Sequence, residues 1–168
     1  MKKIKGNKGF TLAETLMVLL IVSLVSIIVA GALPTAIKVY KGIMDYSNAQ
    51  VLLSSAITKL RDELSTATEI EVLGEEISYK SSIGAKNRIY LTEDGVYIQE
   101  YLDISNDKLL NHSLISDKAL DSKYRIMYDI KDYESGVFSF SSVSVYLKEN
   151  KIAELKNIEI RIVSDIIE

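Results

Sequence analysis

FTLAETLMVLLIVSLVSIIVAGAL, residues 10–33, is the stretch that decides the fold. Apart from Glu14 and four hydroxyl side chains it is apolar, with no proline to break it. At 1.5 Å per residue, about 24 residues make a helix of about 36 Å, long enough to cross a bilayer. Before it stands MKKIKGNKG, residues 1–9, a short leader made basic by Lys2, Lys3, Lys5 and Lys8. Lysines ahead of the apolar run and none within it place the N-terminus in the cytoplasm.

Pro34, the one proline of the chain, follows at once. It removes the hydrogen bond to the Ala30 carbonyl, and the neighbouring Gly31 adds freedom, so a helix kink is expected at Gly31 and Pro34. Beyond Pro34, residues 34–68 keep helical spacing. Leu33, Ile37, Tyr40 and Met44 form one stripe, and Leu53, Ile57, Leu60 and Leu64 form another. Between the stripes, residues 45–50 look polar on nearly all sides, as a solvent-bridging stretch would. Residues 10–68 thus read as a single long helix, a membrane-spanning part (10–33) continued by an amphipathic part (34–68).

From Glu69 the apolar period changes from 3.6 to 2. Residues 70–73 and 77–79 flank the turn at Gly74-Glu75-Glu76. Residues 88–92 and 96–101 flank Glu93-Asp94-Gly95, a strong hairpin signal. Residues 124–130, 137–148 and 158–163 complete the strands, and residues 105–122 are expected to form a loop or a short helix through 108–111. The fold class is α+β, a long N-terminal helix whose amphipathic half packs on one C-terminal antiparallel β-sheet, with residues 69–168 as the headgroup.

Composition narrows function. The chain has no cysteine and one histidine, which removes disulfide frameworks, thiolate metal sites and His-rich centres. Its net charge of −3 becomes more acidic once the leader lysines are set aside, so no broad basic face is available and direct nucleic-acid binding is not expected. His112 falls in a polar stretch read as loop, without a second ligand type nearby. Asp103, Asn106 and Asp107 lack the glycine and terminal glutamate of a recognised calcium loop. No metal or cofactor is expected. The tyrosines at strand spacing suit half-buried positions with rings packed and hydroxyls in water. The serines at 135, 139, 141, 142 and 144 have no recognisable general base, so no enzymatic role is expected.

Lys8-Gly9-Phe10-Thr11-Leu12-Ala13-Glu14, followed by the apolar run, resembles the processing site of type IV pilins and type II secretion pseudopilins. The likeness is specific over the leader and the first quarter of the chain. Thr15 stands where the family often has an apolar residue, and Pro34 lies later than the proline commonly seen. The resemblance implies that a prepilin peptidase cuts between Gly9 and Phe10 and methylates the new amine on Phe10. It also implies that Glu14 pairs with the Phe10 amine of a neighbouring subunit during assembly. From the residues alone, nothing nearby in the chain offers Glu14 a partner, and a carboxylate in the bilayer is costly.

The partners so implied are the prepilin peptidase, sister pilins or pseudopilins, a platform membrane protein, an assembly ATPase acting indirectly, and the cytoplasmic membrane. The subunit would wait in that membrane before joining a cell-surface filament. The irregular headgroup leans towards a minor subunit. A rival cut is Ala30-Gly31-Ala32, which has the small-x-small form of a secretory signal and would release a domain starting at Leu33. The apolar segment is much longer than a signal-peptide core, and small residues equally suit close helix packing. A signal-anchored or secreted extracellular binding domain that never polymerises is the alternative.

Overall fold

The computed structural model describes residues 10–103, 108–115 and 123–163, with the side chains of 101–103 and 108 excepted. It contains one helix, α1 (Leu12–Ser65), and eight strands: β1 (Thr68–Leu73), β2 (Glu76–Lys80), β3 (Lys86–Thr92), β4 (Gly95–Asp103), β5 (Lys108–Ser113), β6 (Tyr124–Glu134), β7 (Val137–Leu147) and β8 (Asn150–Arg161). The chain divides into two units, Met1–Met44 and Asp45–Glu168, and α1 contributes to both. The α+β class, one long N-terminal helix with its amphipathic half on antiparallel strands, is observed.

In the first unit every described residue of α1 is exposed, its large apolar side chains included. In the second unit the buried stripe is Ala49, Leu52, Leu53, Ala56, Leu60 and Leu64, recurring every three or four residues as a helix face requires. Packing begins earlier than the sequence suggested. Residues 45–50 are not a solvent-bridging stretch, because Ala49 is fully buried and Asp45 accepts a hydrogen bond from Tyr124 Oη at 3.1 Å. A methyl side chain at 49 lets the headgroup come close, and composition counts alanine too lightly to reveal it.

The strands form two sheets rather than the single one expected. One holds β1-β2-β3-β4-β5 and the other β6-β7-β8, both antiparallel and in chain order. The free edge of β6 meets the β1–β2 and β3–β4 turns and the start of β4, without a ladder between them. Arg125 Nη1 donates to the Glu93 carbonyl at 3.0 Å, and Tyr128 Oη donates to the Glu75 carbonyl at 2.6 Å. Gly95 lies so close to this edge that a Cβ there would stand 3.2 Å from the Ile126 carbonyl oxygen. These side-chain bonds occupy an edge that would otherwise be a template for pairing.

Residues 108–111 are strand, not loop or short helix. β5 pairs with β4 through Glu100 opposite Leu110 and Gln99 opposite Asn111. Two adjacent leucines, 109 and 110, spoil the alternation that marks a strand, and both are about half exposed, as an edge position allows. β8 likewise starts at Asn150, well before residue 158, because its phase changes along its length. Ala153 faces the core, then Asn157 takes φ 53° and Ile158, Ile160 and Ile162 face it instead. β7 changes phase beside it, from Phe138 and Phe140 to Val143 and Val145, where it bulges against β6 between Phe140 and Ser142. The two shifts coincide across the pair and keep one face apolar. The β6–β7 hairpin turns on Ser135-Gly136, both at positive φ, a type I′ geometry that matches strand twist.

Three tyrosines correct the expectation that strand hydroxyls reach water. Tyr79, Tyr124 and Tyr128 are buried, and their hydroxyls bind protein groups: Glu63 Oε2 at 2.9 Å, Asp45 Oδ1, and the Glu75 carbonyl. Burial, and then the nearby Glu63 carboxylate, push the Tyr79 phenol well above its ordinary range. Burial does the same to Tyr128, helped by Glu75 and Glu76. The end of α1 and the chain just after β8 also meet directly, for Val163 N–H donates to the Ser65 carbonyl at 2.7 Å.

Candidate functional site

The candidate site is the start of α1 and the apolar helix behind it. Leader residues up to Gly9 lie outside the described residues, so the Gly9 side of the expected cut is not placed. Phe10 and Thr11 precede the first helical residue and are exposed, Phe10 at 83%.

Thr11 is the N-cap and Glu14 the third helical residue, and they bond each other reciprocally. Thr11 N–H donates to Glu14 Oε2 at 2.8 Å, the Thr11 hydroxyl donates to the same oxygen at 3.0 Å, and Glu14 N–H lies 3.3 Å from Thr11 Oγ1. This is a capping box, in which two backbone N–H groups with no helical acceptor are satisfied by side chains. The expectation that Glu14 has no partner within the chain is therefore corrected. Thr11-Leu12-Ala13-Glu14 has the Thr-x-x-Glu spacing ahead of an apolar run, the sequence signal of such a box. Both bonds that Glu14 accepts fall on Oε2, and among the described residues none is made to Oε1.

The other polar side chains of the apolar run are satisfied in the same local way. Thr15 Oγ1 donates to the Thr11 carbonyl at 3.0 Å, Ser23 Oγ to the Leu20 carbonyl at 2.8 Å, and Ser26 Oγ to the Val22 carbonyl at 2.7 Å. In hydrocarbon each unsatisfied polar group costs several kcal/mol, and this arrangement leaves none of these hydroxyls unpaired. α1 is the one described helix long and apolar enough to cross a membrane. Gly31 and Pro34 both lie inside α1, and the Thr35 hydroxyl donates to the Gly31 carbonyl at 3.2 Å, beside the carbonyl that Pro34 leaves free. A Cβ added at Gly31 would meet nothing within 4 Å in this chain.

Residues 4–30 match the family described as the prokaryotic N-terminal methylation motif. The chain carries a prokaryotic N-terminal methylation motif. The matched span takes in Gly9, Phe10 and Glu14, together with most of the apolar run. Comparison with curated proteins and with solved structures gave no match. The methylation motif and the apolar helix together support a type IV pilin-like precursor, processed by prepilin peptidase to a methylated N-terminus. Proteins of the pilin type are structural rather than catalytic, and the motif implies assembly with other pilins. Membrane anchoring before assembly fits the same two features.

The remaining candidates fall away from this site. His112 is in β5 rather than a loop, with Nε2 4.0 Å from Glu100 Oε1. Asp103 ends β4, while Asn106 and Asp107 lie outside the described residues. Among the described residues no three His, Asp or Glu side chains are grouped to hold a metal ion.

Proposed function

We propose that the chain is a structural subunit of a type IV pilus-like filament, a pilin or pseudopilin of the minor kind. In this reading prepilin peptidase cuts between Gly9 and Phe10. The subunit is held in the cytoplasmic membrane by residues 10–33, a single pass with its N-terminus inside. A platform membrane protein, driven indirectly by an assembly ATPase, then passes it to sister subunits in a surface filament. The observation that carries the reading is an apolar helix exposed along its described residues 12–44, joined to a methylation motif. Such a helix needs lipid first and other helices later, and a filament core supplies the second.

Glu14 is the assembly residue of this proposal. Its Oε2 caps the helix through Thr11, while Oε1 is left to accept the methylated Phe10 amine of a neighbour. The charge is then neutralised as the helix leaves lipid, and the pairing sets axial register between subunits. Gly31 and Pro34 supply the adjustable point of the helix, by removing one backbone bond and one side chain.

The test is the N-terminus of the mature protein, read by mass spectrometry in membrane and sheared-surface fractions. N-methylated Phe10 in the sheared fraction is the expected result. A start at Leu33 would mean a secreted domain. An intact leader in cells with active prepilin peptidase would mean a plain anchor, and either result would overturn the proposal.

A further inference from the structure

Residues 35–44 continue the apolar helix past its membrane-length run, yet they are built differently. Ile37, Val39, Tyr40, Ile43 and Met44 remain exposed large apolar side chains, between 43% and 64% of their surface. At 3.6 residues per turn these five, with Leu33, cover roughly half of the helix circumference. Thr35, Lys38 and Lys41 occupy the other half. No acidic residue stands between Glu14 and Asp45. Neither lysine has an ion-pair partner among the described residues, and Asp45 is engaged by Tyr124 Oη.

Depth along the helix gives this face an address. A hydrocarbon core about 30 Å thick takes about 20 helical residues, the separation of Glu14 and Pro34. With the Glu14 end at one boundary of the hydrocarbon, Pro34 stands at the other. Lys38 then lies about 6 Å beyond it and Lys41 about 10 Å beyond. The polar headgroup layer on each side is about 5–7 Å deep. Helical side chains lean towards the N-terminus, here back towards the bilayer, so both ammonium groups reach the phosphate plane and Tyr40 lies at its edge. An apolar arc with lysines beside it and a tyrosine at headgroup depth is the pattern of an interfacial anchor.

We propose that residues 35–44 dock on anionic phospholipid in the outer leaflet, with Lys38 and Lys41 on lipid phosphates and the Ile37–Tyr40 side of the helix among the headgroups. This rests on the reading of residues 10–33 as the membrane span. The lipid contact holds the waiting subunit at a fixed depth, and it has to be given up when the subunit is extracted into a filament. Charge complementarity and continuity with the span favour lipid over a second copy of the chain as occupant.

The chain contains no tryptophan, so one introduced indole reports its own position. The full chain carrying Tyr40→Trp is reconstituted in phosphatidylethanolamine vesicles with phosphatidylglycerol or phosphatidylcholine, either one brominated. The same is done with Val22→Trp as a probe within the span. The expected result is strong quenching at position 22 by both brominated lipids. At position 40, quenching should favour phosphatidylglycerol, by about five-fold for each lysine engaged, and adding Lys38→Gln with Lys41→Gln should abolish the preference. Equal quenching by the two lipids at position 40, with normal quenching at 22, overturns the lipid assignment alone. An unquenched position 40 with Ile43→Cys forming disulfide-linked dimers assigns the face to a second copy and overturns it too. An unquenched position 22 overturns the membrane span itself.

Discussion

Truncating one leucine in each unit of α1 tests whether the two halves of the helix have different duties. Leu60 is fully buried in the headgroup core, while Leu19 is 64% exposed. Leu60→Ala removes about three buried carbon groups at about 0.8 kcal/mol each and leaves a cavity, for a cost of about 3 kcal/mol within the usual range of about 2–5. Domains of this size are stable by about 5–15 kcal/mol, so the loss is a large share of the total. The headgroup melting temperature should fall by roughly 10 °C. Leu19→Ala removes the same atoms from a surface that nothing in the chain covers, and headgroup stability should stay within about 0.5 kcal/mol. The assay is thermal and urea unfolding of the full chain in detergent micelles, followed by the near-ultraviolet circular dichroism of the tyrosines. A cost under about 1 kcal/mol for Leu60→Ala, or equal costs for the two variants, would refute the division of α1 into a headgroup half and a free half.

Three further outcomes are expected. Glu14→Ala should still be cut and methylated at Phe10 yet enter sheared filaments poorly, and normal filament yield from that variant would remove the assembly role given to Glu14. Headgroup stability should decline above about pH 10, because the unfolded tyrosines ionise there while Tyr79 and Tyr128, raised in the folded state, stay protonated. The limiting slope is about 1.4 kcal/mol per pH unit for each of them, and unchanged urea midpoints up to pH 11.5, or a Tyr79→Phe/Tyr128→Phe variant with an undiminished slope, would contradict it. Gly95→Ala should destabilise the headgroup by about 1–3 kcal/mol, since the residue sits at φ 132° with its missing Cβ against the backbone of Ile126. A melting curve equal to that of the parent would show that β6 yields there at no cost.

What the sequence revealed follows from which signals are local. The apolar run and the basic leader are contiguous, so the helix and the motif could be read directly. The Glu93-Asp94-Gly95 hairpin was legible for the same reason. The capping box is equally local, carried by the Thr11 and Glu14 spacing, although Glu14 taken as an isolated charge does not show its pairing with Thr11. β5 was obscured because Leu109 and Leu110 are adjacent on an edge strand where neither face is strongly buried. β8 was half hidden because a positive φ at Asn157 shifts its alternation midway, and a fixed period cannot follow that shift. Where the two sheets meet, Arg125 and Tyr128 reach carbonyls more than thirty and fifty positions away, and no periodicity encodes such a contact.

The bond from Val163 N–H to the Ser65 carbonyl has a mechanical consequence. It fastens the end of α1 to the chain just after β8, so the whole β-rich headgroup is a loop whose two ends are tied together. Tension applied along the end of α1 divides at this knot between the link into β1 and the bond to Val163. β8 is in turn paired with β7 along nearly its whole length, from Arg161 opposite Val137 to Asn150 opposite Leu147. The pull is then shared between the first sheet, entered through β1, and the second, reached through the residues that follow β8.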